Sequence, residues 1–304
     1  MNNTTIKKFL LVILYSSFFL PSNFCFSNEE PKGSDFFVLT IPKSGSHLIL
    51  KMLHMLTAKT HVLKKPIFQH LHAFNFSEDY PSINIPTHKI EEAFFYWKKE
   101  NLFAASHFNQ AEYYDRFWQL HPEYIKIIQI RDLRDVCVSC AFFQAIEIEK
   151  EIGPCCFADK LLYIISLENK PANLVLRLKK YAQLAAEWIR DPLTIVCRFE
   201  DLIGEKGGGS LVSQKEQIRT IAASLNIDLE DSRLNWIINN LFGVESGPSF
   251  QSTFREGKIG SWRNYFNEEH KKAFVKHFGE IQLNLGYNLF ENEVFANPEN
   301  SYAK

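Results

Sequence analysis

Three short stretches of this sequence carry residues able to hold anions. In IPKSGSHLI, residues 41–49, Lys43 sits in a short polar loop behind an apolar run. Gly45 lets the backbone approach a ligand closely. Ser44 and Ser46 add hydroxyl donors, and Lys43 adds a mobile charge. In IIQIRDLRDVCVSCAFF, residues 127–143, Arg131 stands at the end of an apolar run and Ser139 follows eight residues later. In FREGKIGSWRNYF, residues 254–266, Arg255, Lys258 and Arg263 are interleaved with Gly257 and Gly260. Lys43 alone would fit a plain surface turn. One anion loop beside two arginine-bearing stretches implies a ligand with two separate anionic groups.

The elements that must position these residues are legible in the apolar runs. FFVLTI (36–41), LFAA (102–105), IKIIQI (125–130) and LTIVCR (193–198) are short, continuous and rich in Ile, Val and Phe, as buried parallel strands are. Helical patterns fall at 46–57, 89–100, 132–146, 172–190, 213–225 and 231–241. Strands alternating with helices predict an α/β fold of three layers, a central parallel sheet flanked by helices. Sites in such folds gather at the C-terminal strand ends. The 41–49 stretch then reads as strand, tight loop and helix N-terminus, a geometry that turns backbone N–H groups toward an anion. It is not a Walker A loop, because no glycine stands at the required distance before Lys43. Asp132 and Asp135 suit the first turn of the next helix through its dipole. GEKGGGS (204–210) reads as a flexible surface loop. Residues 60–88 read as a loop bordering a pocket; their histidines (His61, His70, His72, His88) fit no standard metal spacing.

The bulk properties set outer bounds. The chain has 304 residues, enough for a large core, and a formal net charge of −1. No global basic field marks it for nucleic acid, so an anion site must be built locally. At the N-terminus, MNNTTIKK precedes the apolar Phe9–Leu20 stretch, and Cys25 and Ser27 have the spacing of a cleavage site. This layout predicts a signal peptide over 1–27 and an exported protein, with an uncleaved membrane anchor as the alternative. A domain over 34–290 and a tail over 291–304 follow. Five of the six cysteines lie beyond that segment, an odd number that is no disulfide framework. Cys137, Cys140 and Cys197 read as core residues, and a bond between neighbouring Cys155 and Cys156 would be strained.

The three anion-binding stretches together resemble the sulfotransferases that use 3′-phosphoadenosine 5′-phosphosulfate, PAPS. IPKSGSHLI resembles their 5′-phosphosulfate loop, RDLRDVCVS their 3′-phosphate motif, and FREGKIGSWRNYF their C-terminal glycine-containing signature. They occur in the family's order over roughly residues 35–290. The resemblance implies a P-loop NTPase-like fold and PAPS as co-substrate, with no metal. It implies that Lys43 stabilises the leaving phosphate and that Ser44, Gly45, Ser46 and His47 bind the 5′-phosphate. Arg131, Ser139, Arg255 and Gly257 would hold the 3′-phosphate, and Ser139 would also reach toward Lys43. The family's base is a histidine at a second strand end. His107, just past 102–105, takes that place, with His47 as its rival; a histidine suits base work near neutral pH.

Several positions depart from the family pattern. His47 and Leu48 replace a threonine and a tryptophan, which removes one aromatic wall for adenine; Phe242 is the candidate for another. Phe199 replaces a tyrosine, Glu256 a lysine and Ser261 an aspartate. Asp135 and Trp262 read as support and packing rather than ligands. The acceptor would be a hydroxyl or amine. Two other classes stand as alternatives: a catalytically silent binder of an adenosine bisphosphate or other anion, which would lack the lysine or the base, and a P-loop kinase, which would need the absent glycine pattern.

Overall fold

The computed structural model describes residues 33–57, 60–61, 102–107, 122–167, 178–243 and 255–290, with 60–61 and 102–107 given as strand backbone. In chain order the elements are β1 (Phe36–Thr40), α1 (Ser46–Thr57), β2 (Thr60–His61), β3 (Leu102–His107), β4 (Ile125–Ile130), α2 (Leu133–Phe143), α3 (Ala145–Ile152), α4 (Phe157–Ser166), α5 (Leu178–Trp188), β5 (Thr194–Arg198), α6 (Phe199–Leu202), α7 (Leu211–Ser224), α8 (Asp231–Leu241) and α9 (Glu268–Asn284). Among the described residues, 3₁₀ turns cover Glu205–Gly207 and Ser261–Asn264.

The five strands form one parallel sheet in the order β2-β3-β1-β4-β5. Successive strand residues point to opposite faces, and both faces are apolar. Phe37, Leu39, Ile41, Ile128 and Ile130 pack into one cluster with buried residues of α2, α4, α5 and α9. Phe36, Val38, Ile127 and Cys197 pack into the other with residues of α1, α7 and α8. The result is the three-layer α/β fold the sequence predicts. β1 is central, with β3 on one side and β4 on the other. That reversal of strand order opens a crevice at the C-terminal strand ends, where Lys43, His107 and Arg131 all fall.

Some expectations change. The helix expected over 132–146 is two helices, α2 and α3, joined at Gln144, whose N–H still donates to the Cys140 carbonyl at 2.9 Å. The strand expected over 102–105 runs on to His107, because Ser106 and His107 pair with Leu39 and Thr40. β2, α4, α6 and α9 fall outside the elements the sequence predicts. The 204–210 segment is a 3₁₀ turn with Gly207 buried, not a loose loop. A Cβ at Gly207 would meet the Gly257 carbonyl at 2.6 Å, and the Gly207 carbonyl accepts from the Ile259 N–H at 2.9 Å. Gly207 therefore packs closely against the 257–259 stretch, and Gly209, where a Cβ would meet the Glu200 carbonyl at 2.6 Å, packs against the turn before it. All five described cysteines are free, with Cys137, Cys140 and Cys197 in the core as expected. The N-terminal segment, the helix expected over 89–100, His70, His72, His88 and the 291–304 tail lie outside the described residues.

Candidate active site

The loop after β1 is held in shape by both neighbours. Lys43 takes a left-handed backbone conformation, φ 65°, which non-glycine residues seldom adopt. Ser44 is buried. Its hydroxyl donates to the Gln129 backbone carbonyl at 3.4 Å, and Gln129 Nε2 donates back to the Ser44 carbonyl at 3.2 Å. Ser46 opens α1, and its hydroxyl donates to Thr40 Oγ1 at 2.8 Å. His47 is exposed in the first turn of that helix. Gly45 has φ 102°, and a Cβ placed there would lie 2.5 Å from Phe199 Cδ2. Glycine is thus required on two counts, backbone conformation and space.

Lys43 is mostly buried, and its ammonium lies 4.1 Å from the centre of the Phe143 ring. Burial lowers its pKa from the usual lysine value; the nearby Cys140 sulfur opposes this, and Arg131 adds to it. Burial also pushes the Cys140 thiol up to about 12, against the pull of Lys43 and Arg131. Lys43, Arg131 and the α2 residues beside Ser139 therefore share one electrostatic neighbourhood. Ser139 itself is half-buried on α2.

Arg131 follows β4 and is buried. Its Nη2 donates to the Lys258 carbonyl at 2.8 Å and lies 3.5 Å from Asp135 Oδ2. Its Cζ stands 3.9 Å from the centre of the Phe199 ring. Its buried Nε has no acceptor among the described residues. A buried guanidinium donor left unsatisfied is unfavourable unless an anion meets it.

Asp135 explains how the 254–266 stretch reaches this place. It is fully buried and accepts from the Gly260 N–H at 2.7 Å, the Trp262 N–H at 2.9 Å and the Ser261 hydroxyl at 3.2 Å. Ser261, the departure from the family's aspartate, links onward to Arg255, whose Nη2 donates to its oxygen at 3.0 Å. Arg255 also pairs with Glu256 at 2.6 Å, so part of its charge is matched within the loop. Gly257 takes φ 62°. The expectations for Asp135 as support and Trp262 as packing both hold.

Beneath Arg131 lies a buried polar network. Glu200 accepts from the Asp132 N–H at 3.0 Å and from the Tyr287 hydroxyl at 2.7 Å. Burial raises the Glu200 pKa, while those hydrogen bonds pull it back, and burial carries Tyr287 well above the usual tyrosine range.

The structure brings Lys43, Ser44, Gly45, Ser46, Arg131, Arg255 and Gly257 to one sheet edge, with Ser139 on the helix alongside. His107 ends the adjacent strand, the register partner of Thr40. Phe242 caps α8 and is half-buried. Sequence reasoning missed Phe142 and Phe143, whose rings meet Arg255 and Lys43. The available signal was two adjacent aromatics one helical turn after Ser139.

A family model for the sulfotransferase domain matches residues 33–286. Among solved structures, the chain is similar to mouse sulfotransferase SULT7A1 in a complex with PAP, at 15% sequence identity and TM-score 0.55, with 86% of this chain and 90% of that chain covered. That likeness is one of fold. No curated protein matches the sequence. The family match takes in the 41–49, 127–143 and 254–266 stretches and every described strand of the sheet, and on it this chain belongs to the sulfotransferase domain family.

Proposed function

We propose that this chain moves a sulfuryl group from PAPS to an acceptor hydroxyl or amine, releasing 3′-phosphoadenosine 5′-phosphate, PAP. One observation carries the reading. Thr40 at the end of β1 is flanked by His107 on β3 and Gln129 on β4, so Lys43, His107 and Arg131 emerge at three adjacent strand ends. Neighbouring strands lie about 4.8 Å apart, a spacing that suits a base, a charge stabiliser and a phosphate grip on one nucleotide.

The residues fit that donor. The loop leaves room for close backbone approach at Gly45, and Arg131 Nε is a buried donor awaiting an acceptor. Ser44, Gly45, Ser46 and His47 hold the 5′-phosphate at the start of α1, where the helix dipole favours an anion. Arg131, Ser139, Arg255 and Gly257 hold the 3′-phosphate. Phe242 takes one face of adenine. Arg233, early in α8, donates to the Met55 carbonyl at the far end of α1, an arrangement that sends the other end of α8 back toward the loop.

His107 accepts the acceptor's proton as its oxygen attacks sulfur. The bond from sulfur to the bridging phosphate oxygen breaks, and negative charge grows on that oxygen. Lys43 stabilises it from a preorganised position. The test is incubation with PAPS and a panel of alcohols, phenols, glycans and tyrosine peptides, following PAP. Acceptor-dependent PAP release supports the reading; tight PAP binding with no release favours a silent binder.

We also propose export through the 1–27 segment, with an uncleaved anchor as the alternative. The basic start, short apolar core and Cys25/Ser27 spacing support it. Mass spectrometry of the native N-terminus should find a chain beginning near Asn28; full-length chain alone would refute cleavage.

A further inference from the structure

The last turn of α2 ends in two neighbouring phenylalanines, each 40% or more exposed (Phe142 40%, Phe143 43%). Each ring meets a different cation of the site. The Phe143 ring centre is 4.1 Å from Lys43 Nζ, and the Phe142 ring centre is 4.7 Å from Arg255 Cζ. Consecutive helical residues diverge by about 100°, so one helix end can address two separate groups. Ser139 precedes Phe142 by three residues and Phe143 by four, which puts all three on one face of α2.

Phe142 is itself fixed from behind. It stacks on Phe157 at 4.1 Å and meets Tyr265 edge-on at 5.4 Å. Tyr265 also takes a hydrogen bond from Arg255 at 3.3 Å. The Arg255 guanidinium thus rests between two aromatic rings that α4 and the 3₁₀ turn at 261–264 hold in place. A mostly buried ammonium on a long flexible stem has both desolvation and rotamer freedom against it, and the Phe143 ring gives Lys43 one fixed contact. The face of an aromatic ring attracts a cation without accepting its proton.

Resting on the function proposed above, we infer that Phe142 and Phe143 are positioning residues of the donor site. Phe143 sets the Lys43 ammonium at the sulfuryl end. Phe142 sets the Arg255 guanidinium at the 3′-phosphate end. Because both belong to one helix turn, α2 ties the two cations to each other, in addition to the contacts Arg255 makes to Ser261 and Glu256 within its own loop.

The two rings should act on different measurements. Phe143→Leu keeps apolar bulk but removes the ring. It should slow PAP release from PAPS, with 4-nitrophenol or water as acceptor, by about threefold to tenfold, the size of a partly desolvated cation–π contact. Its PAP affinity should stay near wild type. Phe142→Leu should weaken PAP binding by a similar factor and leave AMP binding unchanged. Phe143→Tyr and Phe142→Tyr keep the ring and should restore each value. Leucine variants that match wild type overturn the inference. So do tyrosine variants as impaired as the leucine ones, since bulk or helix packing would then be the cause. Wild type that neither releases PAP nor prefers PAP over AMP is a separate result, which removes the proposed function and this inference with it.

Discussion

Arg131 Cζ stands 3.9 Å from the centre of the Phe199 ring. The same ring closes the space beside Gly45. One buried side chain at the end of β5 thereby separates the loop after β1 from the arginine after β4. The distance between the two proposed phosphate grips is set by an aromatic plate rather than by flexible side chains.

Gly45→Ala should disrupt this arrangement. The new methyl would lie 2.5 Å from Phe199, at a backbone φ of 102°. Strain of this kind costs about 1–3 kcal/mol before the clash is counted. Chemical denaturation should show a lowered midpoint, and PAP affinity should fall with it. Adding Phe199→Leu should recover part of the stability and not all, because the strained φ remains. Full recovery would mean that the clash alone made glycine necessary.

Lys43→Met should cut turnover by about a hundredfold or more, the usual loss when one transition-state donor is removed, while PAP still binds. Its effect on stability has the opposite sign. Burial lowers the Lys43 pKa, so between the folded and unfolded values the unfolded chain binds more protons and stability rises with pH. At any pH below the folded value, wild type carries the cost of a buried ammonium. The methionine variant should therefore melt at a higher temperature at pH 7, with the advantage shrinking at alkaline pH. Wild-type turnover should fall on the alkaline side, starting below the ordinary lysine range. Equal melting temperatures at pH 7 would show that the buried charge is already compensated.

His107→Ala should leave PAP binding close to wild type and lower transfer by roughly a hundredfold or more, the scale of a general base. His47→Ala, on the first turn of α1, should leave the chemical step largely intact. The reverse pattern would move the base to the loop.

Asp135→Ala should be among the most destabilising single changes. It strips one buried carboxylate of contacts to Gly260, Ser261 and Trp262, and leaves Arg131 without its neighbour at 3.5 Å. Breaking a buried ionic cluster in this way costs about 3–5 kcal/mol. Equilibrium urea unfolding measures it. A loss under about 1 kcal/mol would show that the 254–266 stretch is anchored elsewhere.

The four apolar runs were legible as strands because burial on both faces leaves continuous hydrophobic sequence, as in IKIIQI. β2 was not, since Thr60–His61 has no apolar run and exists only by pairing with β3. His107 was placed just past a strand end, not within it, because apolar content stops at Ala105 while backbone pairing continues through Ser106 and His107. α9 was missed even though Phe274, Phe278 and Ile281 have helical spacing. Its charged residues dominate, and its apolar stripe gains meaning only against α4 and α5. The break at Gln144 had no local signal, as glutamine is a good helix former. At the site, the polar residues of the three motifs could be named from type and spacing. Phe142 and Phe143 could not, and Phe199 stood out only as a departure from the family's tyrosine, because an aromatic that steadies a cation has the same sequence signature as one that fills a core.

The account turns on a nucleotide with a second phosphate. Calorimetric titration of wild type, Arg131→Ala and Arg255→Ala with PAP and with AMP tests this most directly. Hydrogen bonds to charged groups contribute about 1.5–3 kcal/mol each. Wild type should therefore bind PAP much more tightly than AMP, and each variant should lose about tenfold to a hundredfold in PAP affinity with little change for AMP. Wild type that binds the two nucleotides alike would contradict the 3′-phosphate assignment and, with it, PAPS as the donor.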